Sequence, residues 1–344
     1  MHMAADNVRV ITCGFVVVDI IASVIPKLPE PGGLIYPTNG VIFHIGGHPA
    51  NISVDLVQLG MESNEVGCIG AVGKDFLGEF IKSFLRSRGV RFFLQEVDDA
   101  RTGKTIVLVV KGKDRSFIGD PGANLRLDYK KVMKEIEERQ PSIFYLACGM
   151  LGDFDYKVPQ VLELCQSKNI LTILDFIKPY GKGWDFILPA LDKVDVLHCN
   201  NLELAGVSGT RNIKKGIKIL LEHGVKVPIV TFGEKGALCY FQKKYIKVPA
   251  FKVRVVDTTG AGDAFCAGLI KKIYEKTRDR HCFYNFSLND MIDTLIYASA
   301  AGASCVEGIG TTTAVTKENV SRLISNQKEH VMKNIIVRED PLSR

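Results

Sequence analysis

Residues 257–265 read DTTGAGDAF. KVRVV (252–256) before it alternates like a strand, and AFCAGLIKKIYEK (264–276) after it has the spacing of a helix. A helix that begins at a glycine-rich turn leaves its first N–H groups unpaired and points the positive end of its dipole outward, which makes an anion site. Glycine at 260 and 262 lets a large anion approach the backbone. A carboxylate on the first helical turn would repel that anion if it only packed there. It makes sense if Asp263 takes a proton from a hydroxyl that attacks the anion. Gly260, Ala261 and Gly262 then hold the transferring group, and the nucleophile lies between them and the base.

The rest of the chain bounds this reading. With 344 residues and 46% hydrophobic content, it has the means to bury a large core. The net charge of +6 comes from scattered lysines and arginines, which argues against a nucleic-acid groove. Nine cysteines stand without any C-x-x-C spacing, mostly in apolar runs, as in a protein of a reducing compartment. No stretch approaches membrane-spanning length, and VRVITCGFVVVDIIASVI lacks the layout of a leader. The expected location is cytoplasmic.

Short apolar runs alternate with amphipathic segments along most of the chain. VRVITCGFVVV, SNEVGCIGAVG, SIFYLACGM, LTILDF, VDVLHCN, VPIVTFG and ALCYF read as strands; PANISVDLVQLG, FLGEFIKSFLRSRG, DYKKVMKEIEERQ and IKKGIKILLEHG read as helices. This is the pattern of an α/β protein with a mainly parallel sheet covered on both faces. Two stretches break it, residues 20–45 and 105–124. Both show strands and turns with no helix, and KGKD (111–114) suits a hairpin turn. They read as one small β-sheet that leaves the main layer and returns.

The glycine-rich turn is not a Walker loop. GCIGAVGKD (67–75) has one residue too many between its outer glycines and ends in Asp75 where a Ser or Thr is needed. DTTGAGDAF instead resembles the C-terminal signature of the ribokinase-like (PfkB) sugar kinases. FHIGGHPANISVDLVQLG resembles that family's G-G-x-x-x-N motif, GCIGAVGKDFLG its turn and helix start, CNNLE its N-x-x-E motif, and VTFGEKGALCY its nucleotide-side strand and turn. The matches follow in order over nearly the whole chain.

The resemblance implies a ribokinase-like three-layer α/β/α domain over residues 1–330 with a β-sheet lid, and a C-terminal tail at 331–344. It implies ATP and magnesium as cofactors, and a small sugar or sugar-like substrate phosphorylated on a hydroxyl. Asp263 would be the base, and Gly260, Ala261 and Gly262 the anion hole. Asp19, Gly46, Gly47 and Asn51 would bind the substrate. A carboxylate such as Asp19 can accept from two neighbouring hydroxyls, although a charged strand end is the plainer reading. Asn200 and Glu203 would arrange magnesium and phosphates through water, though turn and helix-start chemistry also favours both residues. Thr231, Gly233, Glu234 and Gly236, with Ser299, would line the nucleotide. Asp257, Thr259 and the carbonyl of Gly310 would hold potassium, and two copies would pair through the lid.

The chain also departs from the family pattern. LDFIKPYGKGW keeps Asp175 but has Ile177 where many relatives carry an amide, and Ser299 stands where many use Asn. His44 and His48 have no metal-ligand spacing and read as pocket wall or loop. A nucleoside kinase of the same superfamily, with Phe43 and Phe117 as a shelf, is the alternative reading. A catalytically silent sugar sensor would not need an intact Asp263. An oxidoreductase would need G-x-G-x-x-G where the first strand ends CGFVVVDI.

Overall fold

The computed structural model describes residues 8–111, 115–277 and 279–340. Its strands are β1 (Val10–Cys13), β2 (Val17–Ile25), β3 (Val41–Gly46), β4 (Val66–Gly73), β5 (Arg91–Val97), β6 (Lys104–Val110), β7 (Ser116–Asp120), β8 (Ile143–Cys148), β9 (Leu171–Phe176), β10 (Val196–Asn200), β11 (Val227–Thr231), β12 (Ala237–Phe241), β13 (Lys244–Val248) and β14 (Ile336–Glu339). The helices are α1 (His48–Gln58), α2 (Phe76–Ser87), α3 (Tyr129–Arg139), α4 (Val158–Ser167), α5 (Asn201–Ser208), α6 (Ile213–Glu222), α7 (Ala261–Lys276), α8 (Arg280–Tyr284), α9 (Leu288–Cys305) and α10 (Lys317–Lys333).

One ten-stranded sheet runs β14-β13-β12-β11-β10-β9-β8-β1-β4-β5. From β5 to β11 every pairing is parallel, and the last three strands are antiparallel. β4, β8 and β9 are buried along their whole length, which explains their unbroken apolar runs. The chain leaves β1 for β4 on one side and later returns to β8 on the other. Such a switch point opens a crevice at the carboxyl ends of the strands.

A second sheet, β3-β2-β6-β7, stands apart. It is mixed: β2 pairs antiparallel with β3 and parallel with β6, and β6 pairs antiparallel with β7. The two segments that lacked helices in the sequence supply these strands. Three of the four residues of the expected KGKD turn lie outside the described residues. The two sheets are tied by Asn124, which is fully buried. Its side chain accepts from Val16 N at 2.8 Å and donates to the carbonyls of Val16 and Pro121 at 2.9 and 2.8 Å.

Three expectations need correction. VRVITCGFVVV is two strands, β1 and β2, in different sheets. The break falls at Gly14, with φ +150°, where a Cβ would lie 2.6 Å from the carbonyl oxygen of Ala147. Apolar periodicity continues across such a corner and cannot reveal it. KVRVV is not a strand. Its ends are held by Lys252 N to Gln327 Oε1 at 2.9 Å and Val256 N to Val306 O at 2.7 Å, and no ladder neighbour runs beside it. The segment read as a tail contributes β14, which pairs with β13.

Candidate active site

Asp263 lies on the first turn of α7, whose N-cap Gly260 takes a left-handed φ of +82°. A Cβ on Gly260 would lie 2.6 Å from the carbonyl oxygen of Thr311, so both the turn and its packing need glycine. The carboxyl is nearly buried, and burial pushes it above the usual carboxylate range, with His48 and Asn51 opposing. Both of its oxygens are met from the first turn of α1. Asn51 Nδ2 donates to Oδ2 at 2.7 Å, and His48 Nδ1 lies 3.2 Å from Oδ1. Residues 48 and 51 are three apart on a helix and so share a face. Asn51 Oδ1 accepts from Thr311 Oγ1 at 2.8 Å. Asn51, expected against substrate, is thus placed against Asp263.

Behind His48 is a buried polar network that the sequence reading passed over. His48 Nδ1 is 3.2 Å from the Tyr145 hydroxyl, which donates to Asp175 Oδ2 at 3.0 Å. The same oxygen receives His198 Nδ1 at 2.9 Å and the Cys266 thiol at 3.4 Å. Burial would raise the Asp175 carboxyl, but His198 and His48 more than offset it and hold it well below the usual range. Burial disfavours charge on His48, yet Asp263 and Asp175 outweigh it and push the imidazole up to about 10. Tyr145, Asp175 and His198 sit on the neighbouring parallel strands β8, β9 and β10. A Tyr, an Asp and a His, each inside one of three successive apolar strands, were the available signal.

Asp19 lies inside β2, in the small sheet, not at the end of the first strand of the main sheet. It is 6% exposed, and burial together with the Asp263 charge pushes its carboxyl to about 7. Gly46 and Gly47 make room around it: a Cβ on Gly46 would lie 2.4 Å from Asp19 Oδ2, and one on Gly47 2.2 Å from the Phe15 carbonyl oxygen.

The predicted nucleotide-side residues sit at the carboxyl ends of β10 and β11. Asn200 and Glu203 form a capping box on α5: Asn200 Oδ1 accepts from Leu202 N and Glu203 N, and Glu203 Oε2 accepts from Asn200 N at 2.7 Å. Burial and the Asp175 charge push the Glu203 carboxyl to about 7. Thr231 Oγ1 is 3.4 Å from His198 Nε2, so this side touches the buried network. Gly233 and Gly236 take positive φ on either side of Glu234. Ser299 is buried on α9 with its hydroxyl 3.3 Å from the carbonyl oxygen of Pro249.

Asp257, Thr259 and Gly310 do come together, in a different arrangement from the expected one. Asp257 Oδ1 accepts from Thr259 N and Oγ1 at 2.9 and 2.6 Å, and Oδ2 accepts from Gly310 N at 3.2 Å. Gly310 meets the carboxylate through its N–H, where a carbonyl was expected. Arg115, just before β7, reaches the same turn. Its guanidinium donates to Thr259 Oγ1 at 2.9 Å and lies 3.5 Å from Asp257 Oδ1. No local pattern marks this residue.

A buried carboxyl on the first turn of a helix, among the carboxyl ends of parallel strands, is an arrangement suited to a phosphotransferase with a hydroxyl acceptor. The family model of pfkB family carbohydrate kinases matches residues 15–318, and the chain belongs to this family. Fructokinase-2 of Oryza sativa subsp. japonica is 28% identical over 337 residues, covering 93% of this chain and 96% of that protein. The ribokinase of Giardia lamblia superposes with a TM-score of 0.80 at 21% identity, over 93% of this chain and 99% of its own. A double-mutant fructokinase of Vibrio cholerae O395, in a fructose-, ADP- and potassium-bound form, superposes with a TM-score of 0.72 at 21% identity, over 93% and 99%. The two structural likenesses establish the ribokinase-like fold. No helix among the described residues is long and apolar enough to cross a membrane.

Proposed function

We propose that this carbohydrate kinase transfers the terminal phosphoryl group of ATP to a hydroxyl of a small sugar, with Asp263 as the base. The observation that carries the reading is the Asp263 carboxylate, held at both oxygens at the start of α7 beside the Gly260–Gly262 turn. The substrate hydroxyl gives its proton to Asp263 as its oxygen bonds to phosphorus. The bond to the leaving diphosphate breaks, and that group keeps the electron pair. Backbone N–H groups of residues 260–262 receive the charge on the transferring group. Asp19, whose charge is felt by Asp263, accepts hydroxyls of the same sugar from the lid side. The small sheet, supplied by the lid segments at about 20–45 and 105–124, acts as the lid, and its closure would exclude water as a competing acceptor.

Magnesium fits near Glu203. A carboxyl pushed up to about 7 by burial and by neighbouring negative charge gains from a cation, and Glu203 Oε1 makes no bond in the capping box. When bound, the ion would offset phosphate charge, with Asn200 and Glu203 arranging it through water. Thr231, Gly233, Glu234, Gly236 and Ser299 border the nucleotide in this reading. Potassium would take the Asp257–Thr259–Gly310 turn, where a buried carboxylate draws together polar groups from two loops and lies 3.5 Å from a guanidinium. There it would supply a fixed positive charge behind the anion hole.

Phe43 and Phe117 are each more than half exposed on the lid sheet and favour a nucleoside as the second reading. Exposed Ile42, Ile106 and Ile118 on the same sheet suit pairing with a second copy. The test is purified protein with ATP and magnesium against a panel of sugars, sugar acids, inositols and nucleosides, with products identified by mass. Phosphorylation of a sugar supports the proposal. Turnover of nucleosides alone favours the second reading, and no product from any acceptor overturns both.

A further inference from the structure

We propose that His48 is a positioning residue for Asp263, its imidazolium keeping the base ionised and turned toward the anion hole. The inference rests on the reading of Asp263 as the base. Three observations carry it. First, the Nδ1 of His48 is 3.2 Å from Asp263 Oδ1, while Asn51 takes the other oxygen at 2.7 Å. The carboxylate is therefore approached at both oxygens from one turn of α1, by a hydrogen bond on one and an ion-pair contact on the other. Second, His48 is the first residue of that helix, where the dipole disfavours a cation. A positive ring there needs compensation, and the structure supplies it. The Tyr145 hydroxyl gives its proton to Asp175, so its oxygen is open to Nδ1–H, and Asp175 itself lies 3.7 Å from the ring. Third, the ring stands edge-on to Phe15 at 5.1 Å between centroids, which fixes its plane, and it keeps 22% exposure.

The chemical need is clear. A carboxyl as buried as Asp263 tends to hold its proton, and a protonated carboxyl cannot accept one from the substrate. A cation at 3.2 Å opposes that tendency. His48 keeps its own proton throughout, because the substrate proton ends on Asp263. Several groups bear on the pair. From the main sheet and its helices they are Tyr145 on β8, Asp175 on β9, His198 on β10, Glu203 on α5 and Cys266 on α7. Asp55 on α1 and Asp19 on β2 are both pushed up by burial and by the Asp263 charge, which favours their neutral forms. His198 is the other positive group felt by Asp263 among the described residues, and its Nδ1 is spent on Asp175.

The experiment compares the pH dependence of kcat/KM in wild type, His48→Gln and His48→Lys, using the acceptor found in the panel. His48→Gln should move the acid limb upward by about one to three pH units, with activity recovering at high pH. His48→Lys, which restores a charge, should return the limb toward the wild-type position. A uniform loss at all pH values with the limb unmoved, or equal behaviour of Gln and Lys, overturns the proposal. Titration of the His48 ring by NMR gives a readout without turnover. The ring should stay protonated beyond pH 8 in wild type and lose its proton at lower pH in Asp263→Asn; identical titration in both also overturns it. Failure of the base reading is distinguishable, since it appears as wild-type kcat in Asp263→Asn.

Discussion

Gly46 and Asp19 stand so close across the β2–β3 pair that a Cβ at position 46 would lie 2.4 Å from the Asp19 carboxylate. The glycine therefore fixes where the acid can be. Gly46→Ala should displace Asp19 and raise the KM for the sugar while the KM for ATP stays near wild type. Asp19→Ala should do the same more strongly. A charged hydrogen bond is worth about 1.5–3 kcal/mol, roughly a 10- to 100-fold change in affinity. Equal weakening of both substrates would show that Asp19 does not contact the sugar.

Asp19 also makes stability depend on pH. Its folded-state pKa of about 7 lies above the ordinary value of 3.8. A raised carboxyl contributes stability that is complete below pH 3.8 and is lost as pH rises through 7. Asp19→Asn removes that loss. Relative to wild type, the variant should be more stable at pH 8 than at pH 5, by about 1.4 kcal/mol for each pH unit of the titration span. Urea midpoints at the two pH values measure it, and parallel behaviour of the two proteins would refute it.

Asp263→Asn keeps the shape of the side chain and removes its basicity. kcat should fall by about 10²- to 10⁴-fold with little change in KM. Steady-state kinetics with the true acceptor decide the matter, and an unchanged kcat would remove Asp263 as the base.

Two cations are expected to share the Asp257 carboxylate, namely potassium and the Arg115 guanidinium at 3.5 Å. Rates should be higher in potassium than in sodium or tetramethylammonium at equal ionic strength. Binding free energies are reciprocal, so a guanidinium that competes with the ion must weaken it. Arg115→Gln should thus reach half-activation at a lower potassium concentration. Equal rates in all three salts would exclude the site.

Lys182 and Asp155 form an almost fully buried ion pair at 2.5 Å, and the carboxylate also accepts from Gly149 N and Leu151 N. Lys182→Met leaves a buried charge without its counterion. The expected loss is about 3–5 kcal/mol in denaturant unfolding. A loss below 1 kcal/mol would mean that the two backbone donors suffice.

What the sequence disclosed is what local pattern controls. The apolar runs of β4, β8, β9, β10 and β11 were readable because strands buried on both faces need continuous hydrophobicity. The DTTGAGDAF turn was readable because a helix start, its glycines and its acid are contiguous. The His48 network was not, because residues 48, 145, 175 and 198 meet only after parallel strands align their carboxyl ends. Arg115 was hidden for the same reason, since its partner turn lies 144 positions away in sequence. Asp19 reads as the end of the first strand, and not as the interior of β2, because the corner at Gly14 interrupts no hydrophobic pattern.

The last strand has a bearing on how the molecule behaves in a crowded solution. A bare sheet margin offers a row of backbone donors and acceptors to any passing extended chain, and that is a common start of aggregation. β14 covers the margin of β13, with Tyr240 and Asp340 pinned together at 3.2 Å beside it. It is only four residues long and carries Arg338 and Glu339, so it presents a short, charged border in place of the one it hides. On that side the ten-stranded sheet therefore offers a neighbour a border of four residues, two of them charged.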